Sequence, residues 1–202
     1  TQSLAKKYSI ATVADNWSDV ISASVDAFLI APETSVTPEI LRAAIGTGKP
    51  VLVEKPVGYA SAEVAALGEA PQVLVGYNRR HYSSTAKALE LIQNSSAVTF
   101  NAAIPESSWT TSMASEAKVN TVLANSVHVL DLLQYLFGDL EVRGIAKLDD
   151  ETGIVSRAIA LGNASSAGQA MITFGSPSNF FVDIHTPGKS AALRPIEWFQ
   201  EF

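Results

Sequence analysis

Apolar and polar positions come in alternating blocks over the first 78 residues. Leu4-Ala5-Lys6-Lys7-Tyr8 reads as the end of a helix, Ser9 to Val13 as a short strand, and Asp15 to Ile21 as a short helix. Val25-Asp26-Ala27-Phe28-Leu29-Ile30-Ala31 reads as a buried strand that stops at Pro32. Thr37-Pro38-Glu39 predicts a helix start, with Thr at the cap, Pro in the first turn and an acid behind it. That helix carries Ile40, Leu41, Ala44 and Ile45 on one stripe and ends at Gly46 and Gly48. A second strand follows at Pro50 to Glu54, a helix at Ser61 to Gly68, and a third strand at Gln72 to Tyr77. Apolar strands separated by helices predict a parallel sheet covered on both faces, in the doubly wound manner.

The pattern changes after residue 78. Ser84 to Asn94 predicts an amphipathic helix, with Ser84 as its cap, and Val98 to Ile104 a strand. Residues 105–120 are polar and predict a loop, with Trp109 alone among Ser and Thr. Thr121 to Phe137 predicts one long helix stopped by Gly138. Strands are expected at Glu141 to Leu148, Ile154 to Leu161, Gly168 to Phe174 and Asn179 to His185, separated by turn residues in the manner of an antiparallel sheet. The fold class is therefore α/β: an incomplete Rossmann-like parallel sheet over 1–78, then an α+β domain over 79–202 with a mostly antiparallel sheet.

Composition removes several function classes. At 202 residues and 47% hydrophobic, the chain can bury a substantial core. A net charge of −6 without a basic run argues against duplex nucleic acid as a partner. The absence of Cys excludes thiol catalysis and thiolate metal sites, and it fits a reducing, cytoplasmic setting. No apolar run approaches the ~20 residues of a membrane span. No signal-peptide pattern follows Thr1, and the missing initiator Met reads as a chain that is cut, processed or incomplete.

Two places could carry chemistry. The three early strands end in Pro32-Glu33-Thr34, Glu54-Lys55-Pro56 and Gly76-Tyr77-Asn78-Arg79-Arg80, and ligands of open α/β sheets bind beyond such strand ends. Lys55 there is either a proton-handling amine in a desolvated cleft or a solvated lysine. On the helix 121–137, Asn125, His128 and Asp131 are three apart and are expected to share a face near Tyr135. His128 is either a general acid/base or a buried histidine tied to a neighbour such as Asp131. A metal reading of His128 and Asp131 is short of ligands, and no metal is expected. Arg79-Arg80 either holds a phosphate or carboxylate or is a solvated corner. Ser84-Thr85-Ala86-Lys87 matches an acylase pattern without its companion motifs. Asn94-Ser95-Ser96 and Asn163-Ala164-Ser165 match glycosylation sequons and are expected to be inert.

Together these segments resemble the Gfo/Idh/MocA family of NAD(P)-dependent sugar oxidoreductases. The resemblance runs through 25–32, through Gly48-Lys49-Pro50-Val51-Leu52-Val53-Glu54-Lys55-Pro56, through Val75 to Arg80, and through His128 to Leu133 before Gly138. The wording from Asn125 to Leu132 looks most like members tied to surface-polysaccharide sugars. The resemblance implies NAD or NADP as cofactor and a sugar or nucleotide-sugar hydroxyl as substrate. It implies Lys55 as the residue orienting that hydroxyl and His128 as its acid/base. Ala31, Pro32, Glu33, Glu54, Lys55 and Pro56 would line the cofactor cleft, with the Lys55–Pro56 peptide expected cis. Arg79, Asn125 and Asp131 would bind substrate. A homo-oligomer through the C-terminal sheet or the open Rossmann edge is expected.

The chain departs from the family's pattern in three ways. Ala124 stands where many members carry an Asp four residues before the histidine. No Gly-x-Gly-x-x-Gly turn occurs, so the strand 25–31 is expected to present an unpaired edge, or else a rearranged strand order. The chain also ends earlier than most relatives. A truncated, non-catalytic binding or assembly module, with cofactor binding lost, is the alternative reading.

Overall fold

The structure is a computed structural model. It describes residues 2–107, 110, 112–151 and 153–202, with the side chain of residue 116 left aside. Trp109, flagged above, lies outside the described residues, as do 108 and 111 of the same polar stretch. The chain forms two compact units, Thr1–Gly76 and Tyr77–Phe202.

The first unit contains α1 (Gln2–Lys7), α2 (Trp17–Ser22), β1 (Phe28–Ile30), α3 (Thr37–Ile45), β2 (Val51–Val53), α4 (Ser61–Ala65) and β3 (Val73–Val75). The strands are parallel in the order β1-β2-β3, with Phe28 opposite Val51 and Val51 opposite Val73. The order is sequential rather than rearranged, and β1 is an edge strand among the described residues. Phe28, Ile30, Val51 and Val53 point to one face and bury against Ile40, Leu41 and Ala44 of α3. Leu29, Leu52 and Leu74 point to the other face and are exposed. The expectation of a sheet covered on both faces is therefore corrected: strict period-2 alternation puts three leucines on a face that no described helix covers.

Two local expectations also change. Ser9 to Val13 is a turn and irregular chain rather than a strand; Ser9 has φ 55°, Ile10 and Val13 are exposed, and the Ile10 N–H donates back to the Ala5 carbonyl of α1 at 2.9 Å instead of to a sheet. Val36, not Thr37, caps α3, and the Thr37 hydroxyl donates backwards to the Glu33 carbonyl at 3.1 Å. The helix still ends at Gly46, and Gly48 takes φ 71°, which only glycine adopts cheaply.

The second unit opens with a 3₁₀ turn, Asn78–His81, then α5 (Ser83–Gln93) and β4 (Val98–Pro105). Next come α6 (Ser115–Thr121), a π-helical turn (Val122–Ser126) and α7 (Val127–Phe137). Strands β5 (Glu141–Asp150), β6 (Gly153–Gly162), β7 (Ser166–Thr173), β8 (Phe181–Thr186), β9 (Lys189–Leu193) and β10 (Phe199–Glu201) complete it. The seven-stranded sheet has the order β10-β9-β8-β4-β7-β6-β5, antiparallel except for the parallel pair β4–β7. One face buries Phe100, Ile104, Ile172, Val182 and Ile184 against Val129, Leu132, Leu133 and Leu136 of α7. Phe100 stacks on Phe137 with centroids 4.2 Å apart.

Here the corrections concern helices and late strands. The polar stretch 105–120 holds most of α6, and the single helix expected over 121–137 is interrupted by the π turn Val122–Ser126 before α7 begins at Val127. Two further strands, β9 and β10, follow the four that the sequence pattern predicts after α7. Tyr82 rather than Ser84 precedes α5; Ser84 is buried and its hydroxyl donates to the Ile196 carbonyl at 2.8 Å. No described helix is long and apolar enough to cross a membrane.

Candidate functional site

In the first unit, in-register parallel pairing brings three strand ends to one rim. The Glu54 N–H donates to the Ile30 carbonyl and the Gly76 N–H to the Val53 carbonyl, each at 2.8 Å, so the ends of β1, β2 and β3 lie side by side. This places Ala31, Pro32 and Glu33 beside Glu54, Lys55 and Pro56. Ala31, Pro32, Glu33 and Glu54 are exposed, Lys55 is half-buried and Pro56 is buried, with the Lys55–Pro56 peptide cis. The Lys55 N–H reaches the Glu54 carboxylate at 3.3 Å. Two exposed carboxylates suit the hydroxyls of a ribose. They do not suit a pyrophosphate, which requires N–H donors or cations. The rim therefore fits the nucleoside portion of a dinucleotide, and its phosphates would need donors from outside this rim.

The second unit carries the histidine. Arg80, on the 3₁₀ turn, grips Asp131 of α7 with two parallel hydrogen bonds, Nε to Oδ2 at 2.8 Å and its terminal NH₂ to Oδ1. The same guanidinium lies 5.4 Å from the Tyr77 ring and 5.2 Å from the Tyr135 ring. Tyr77 meets the His128 imidazole edge-on, centroids 6.4 Å apart at 80°. Burial raises the Tyr77 hydroxyl above its ordinary value, and Asp131 adds to this while Arg80 opposes it. The hydrogen bond to Asp131 raises the Arg80 guanidinium further, against a smaller effect of burial. His128 and Asp131 thus share one neighbourhood. A cavity of about 360 Å³ adjoins it, lined by Tyr77, Val127, Leu130, Asp131 and Leu161 among others. A larger groove of about 710 Å³, at Lys87, Glu90, Lys189 and Glu201, contains none of the candidate residues.

Two predicted substrate residues behave differently from Asp131. Asn125 sits in the π turn, so the three-residue spacing that put it on one α-helical face with His128 does not apply. Its Nδ2 donates to the Glu106 carboxyl at 3.1 Å. Arg79 lays its guanidinium over the Phe180 ring at 4.8 Å, and its carbonyl accepts from the Thr85 hydroxyl at 2.7 Å. Burial lowers the Arg79 guanidinium, while Tyr82 and Glu197 pull it back up. Glu106 itself, fully buried, was missed at the level of sequence because its partners are 19 and 20 residues away. Among the described residues no group of three His, Cys, Asp or Glu side chains is placed to hold a metal. Both sequon asparagines use their amide nitrogens internally, Asn94 to the Glu90 carbonyl and Asn163 to the Phe137 carbonyl, each at 2.8 Å.

Residues 1–73 match the Gfo/Idh/MocA oxidoreductase family profile, described as an NAD-binding Rossmann fold. No curated protein matches the chain. Among solved structures, a dehydrogenase (MviM) from Clostridium difficile superposes with TM-score 0.81 at 16% identity, covering 100% of this chain and 69% of that one. Levoglucosan dehydrogenase, in complex with NADH and levoglucosan, gives TM-score 0.80 at 17% identity, over 98% of this chain and 62% of that one. A Gfo/Idh/MocA family oxidoreductase from Vibrio cholerae gives TM-score 0.70 at 18% identity, over 100% and 69%. The chain thus spans between three-fifths and seven-tenths of the length of these structures and shares their fold.

Proposed function

We propose that this chain is part of the Gfo/Idh/MocA oxidoreductase family, whose profile matches residues 1–73, and that it serves an NAD(P)-dependent oxidoreductase acting on a sugar or nucleotide-sugar hydroxyl. The observation that carries the reading is the His128 environment: an imidazole against Tyr77, beside an Arg80–Asp131 clamp, at the second residue of α7. Such a clamp fixes the helix, and a fixed imidazole can take or return a proton near neutral pH. A nicotinamide would supply the hydride acceptor or donor. Lys55 at the strand rim would orient the reacting hydroxyl, and His128 would hold its proton. Glu33 and Glu54 would accept from ribose hydroxyls, with Ala31 and Pro56 shaping that rim. Asp131, taken up by Arg80, would act by holding the clamp, leaving Asn125 and Arg79 as the groups offered to substrate. The domain roles follow: a partial dinucleotide-binding part over 1–78 and a substrate and assembly part over 79–202.

Steady-state assays of Lys55→Ala and His128→Ala with NAD⁺ or NADP⁺ and a panel of sugars test this. Each should lose ~10²–10⁴ in turnover, the usual cost of removing a general acid or base. Near-normal turnover in both eliminates the assignments. Ala124 favours a second reading, a binding module without turnover, because the position four residues before the histidine supplies no carboxylate. Calorimetric titration with NAD⁺ and NADPH separates the two, since the module reading predicts no heat. The same proposal includes a cytoplasmic setting and a homo-oligomer through the seven-stranded sheet or the β1 edge. Light scattering on the eluted protein decides the oligomer, and a monomer removes it.

A further inference from the structure

A fully buried carboxyl group stands beside the start of the histidine helix. Glu106 directly follows β4 and is 0% exposed. Its backbone is tied on both sides: its N–H donates to the Thr173 carbonyl at 2.8 Å, and its carbonyl accepts from the Ser176 N–H at 2.9 Å. The side chain crosses to the π turn. One carboxyl oxygen accepts from Asn125 Nδ2 at 3.1 Å, and the other accepts from the hydroxyl of Ser126, itself fully buried. Both donors are neutral. Burying a carboxyl costs several kcal/mol unless hydrogen bonds compensate, so a group merely filling space here would be apolar.

We infer that Glu106 is a positioning residue: it pins the π turn Val122–Ser126 to the end of β4, and so sets the phase at which α7 presents His128. This rests on the proposed role of His128. π turns insert a wider step into a helix and need local support, because each one shifts the face of everything beyond it. Val127 opens α7 and His128 is next, so a slip in the π turn would rotate the imidazole away from Tyr77.

The same bonds constrain Asn125. A carboxyl that accepts the amide N–H leaves Oδ1 as the end turned away from Glu106. The exposed side of Asn125 therefore offers an acceptor. The substrate feature that this oxygen takes is a hydroxyl or N–H donor. This supplies an acceptor one position beyond Ala124, from an amide held by a buried acid rather than from a helix carboxylate.

The test is nuclear magnetic resonance on the whole chain, without cofactor or substrate. In the unaltered protein the Asn125 side-chain amide should exchange about 10-fold slower than a solvated amide, the protection one such bond confers. In Glu106→Leu, which removes both acceptor oxygens at similar volume, that protection should vanish; Gln would keep an oxygen for the Asn125 amide and is no test. The His128 ring signals should also move as the imidazole shifts against the Tyr77 ring, which it meets edge-on in the unaltered protein. Ser126→Ala, which removes one donor and keeps Glu106, should shift His128 in the same direction by less. If Glu106→Leu does not fold, Ser126→Ala and the native exchange rate decide. A lowered melting temperature with the His128 ring signals and the Asn125 amide unchanged makes Glu106 purely structural and overturns the inference. So does free exchange of the Asn125 amide in the native protein. None of these measurements needs turnover, so an inactive chain leaves this result standing, and a failure here leaves the Lys55 and His128 assays to decide the function alone.

Discussion

The two units deploy their polar groups in opposite ways. In the first, three-residue strands bury one face against α3, and the candidate residues sit on an open rim: Ala31, Pro32, Glu33 and Glu54 are all exposed. In the second, strands of up to ten residues support a core closed by α7. The candidate residues there are held in place: Arg80 on Asp131, Asn125 on Glu106, and the Arg79 guanidinium over the Phe180 ring. An open rim suits a long, flat ligand that brings its own shape. A wired helix suits a proton-handling group, whose reach must be right to within a few tenths of an ångström. The contrast also implies unequal tolerance to change, and that can be measured.

The largest difference is expected at glycines. A Cβ on Gly168, which pairs with Phe100 in the β4–β7 ladder, would lie 2.2 Å from the Phe100 carbonyl oxygen and 2.6 Å from its Cγ. Phe100 is stacked on Phe137 and cannot yield. Gly168→Ala should lose about 3 kcal/mol or more by urea denaturation, or fail to fold. In the first unit, Gly48 meets nothing within 4 Å, and only its φ of 71° opposes a side chain. Gly48→Ala should lose about 1–2 kcal/mol. Equal losses would erase the contrast.

Leucines give the next contrast. Leu133→Ala, at 1% exposure in the second core, should cost about 3 kcal/mol. Leu29→Ala, at 73% exposure, should change stability by less than about 0.5 kcal/mol. A large loss at Leu29 in concentrated protein, shrinking on dilution, would mean that a second copy covers the face opposite α3.

How much of this was legible in the sequence depended on the range of the signal. Apolar runs bounded by Pro or Gly located β1, β2 and β3 and their shared rim, because the information is local. The strand expected at Val98 to Ile104 was equally plain, and β4 runs one residue further. α6 was hidden because its sequence, Ser-Glu-Ala-Lys-Val-Asn-Thr, looks solvated, although Lys118 is 2% exposed and its Nζ donates to the Ile154 carbonyl at 2.8 Å. The π turn left no trace, since Leu123 and Val127 fit an α stripe as well. It mattered most, because it removed Asn125 from the histidine's face. Glu106 was invisible for another reason: a charged residue after a strand reads as surface until its distant partners are known. β10, only three residues long, offers too little pattern to detect.

The clamp in the second unit comes third in size. Asp131 is nearly buried, its side chain 8% exposed against 39% for Arg80. Asp131→Asn keeps the shape, removes the charge and turns an amide toward the guanidinium. It should cost about 2 kcal/mol, below the loss from burying a bare charge because Arg80 can turn to water. Arg80→Lys should cost nearly as much, since a lysine cannot make the paired bonds. A loss under about 0.5 kcal/mol for both would place the clamp with ordinary surface ion pairs.

The smallest effect is a pH dependence, and its sign follows from Tyr77. Burial, then the charge of Asp131, raise its hydroxyl above the ordinary 10.0, with Arg80 working against them. The folded chain therefore keeps this proton to higher pH than the unfolded chain does. The stability linked to Tyr77 is fully present below pH 10.0, and it drains away as the pH rises through the folded value. Melting temperature measured from pH 8 upward should thus fall more steeply in the unaltered protein than in Tyr77→Phe, which has no proton to lose. Asp131→Asn removes the second cause and leaves burial, so its alkaline limb should lie between the two. If Tyr77→Phe falls as steeply as the native chain, the hydroxyl is as well solvated as the first unit's rim, and the wired second unit is no drier than the open first one.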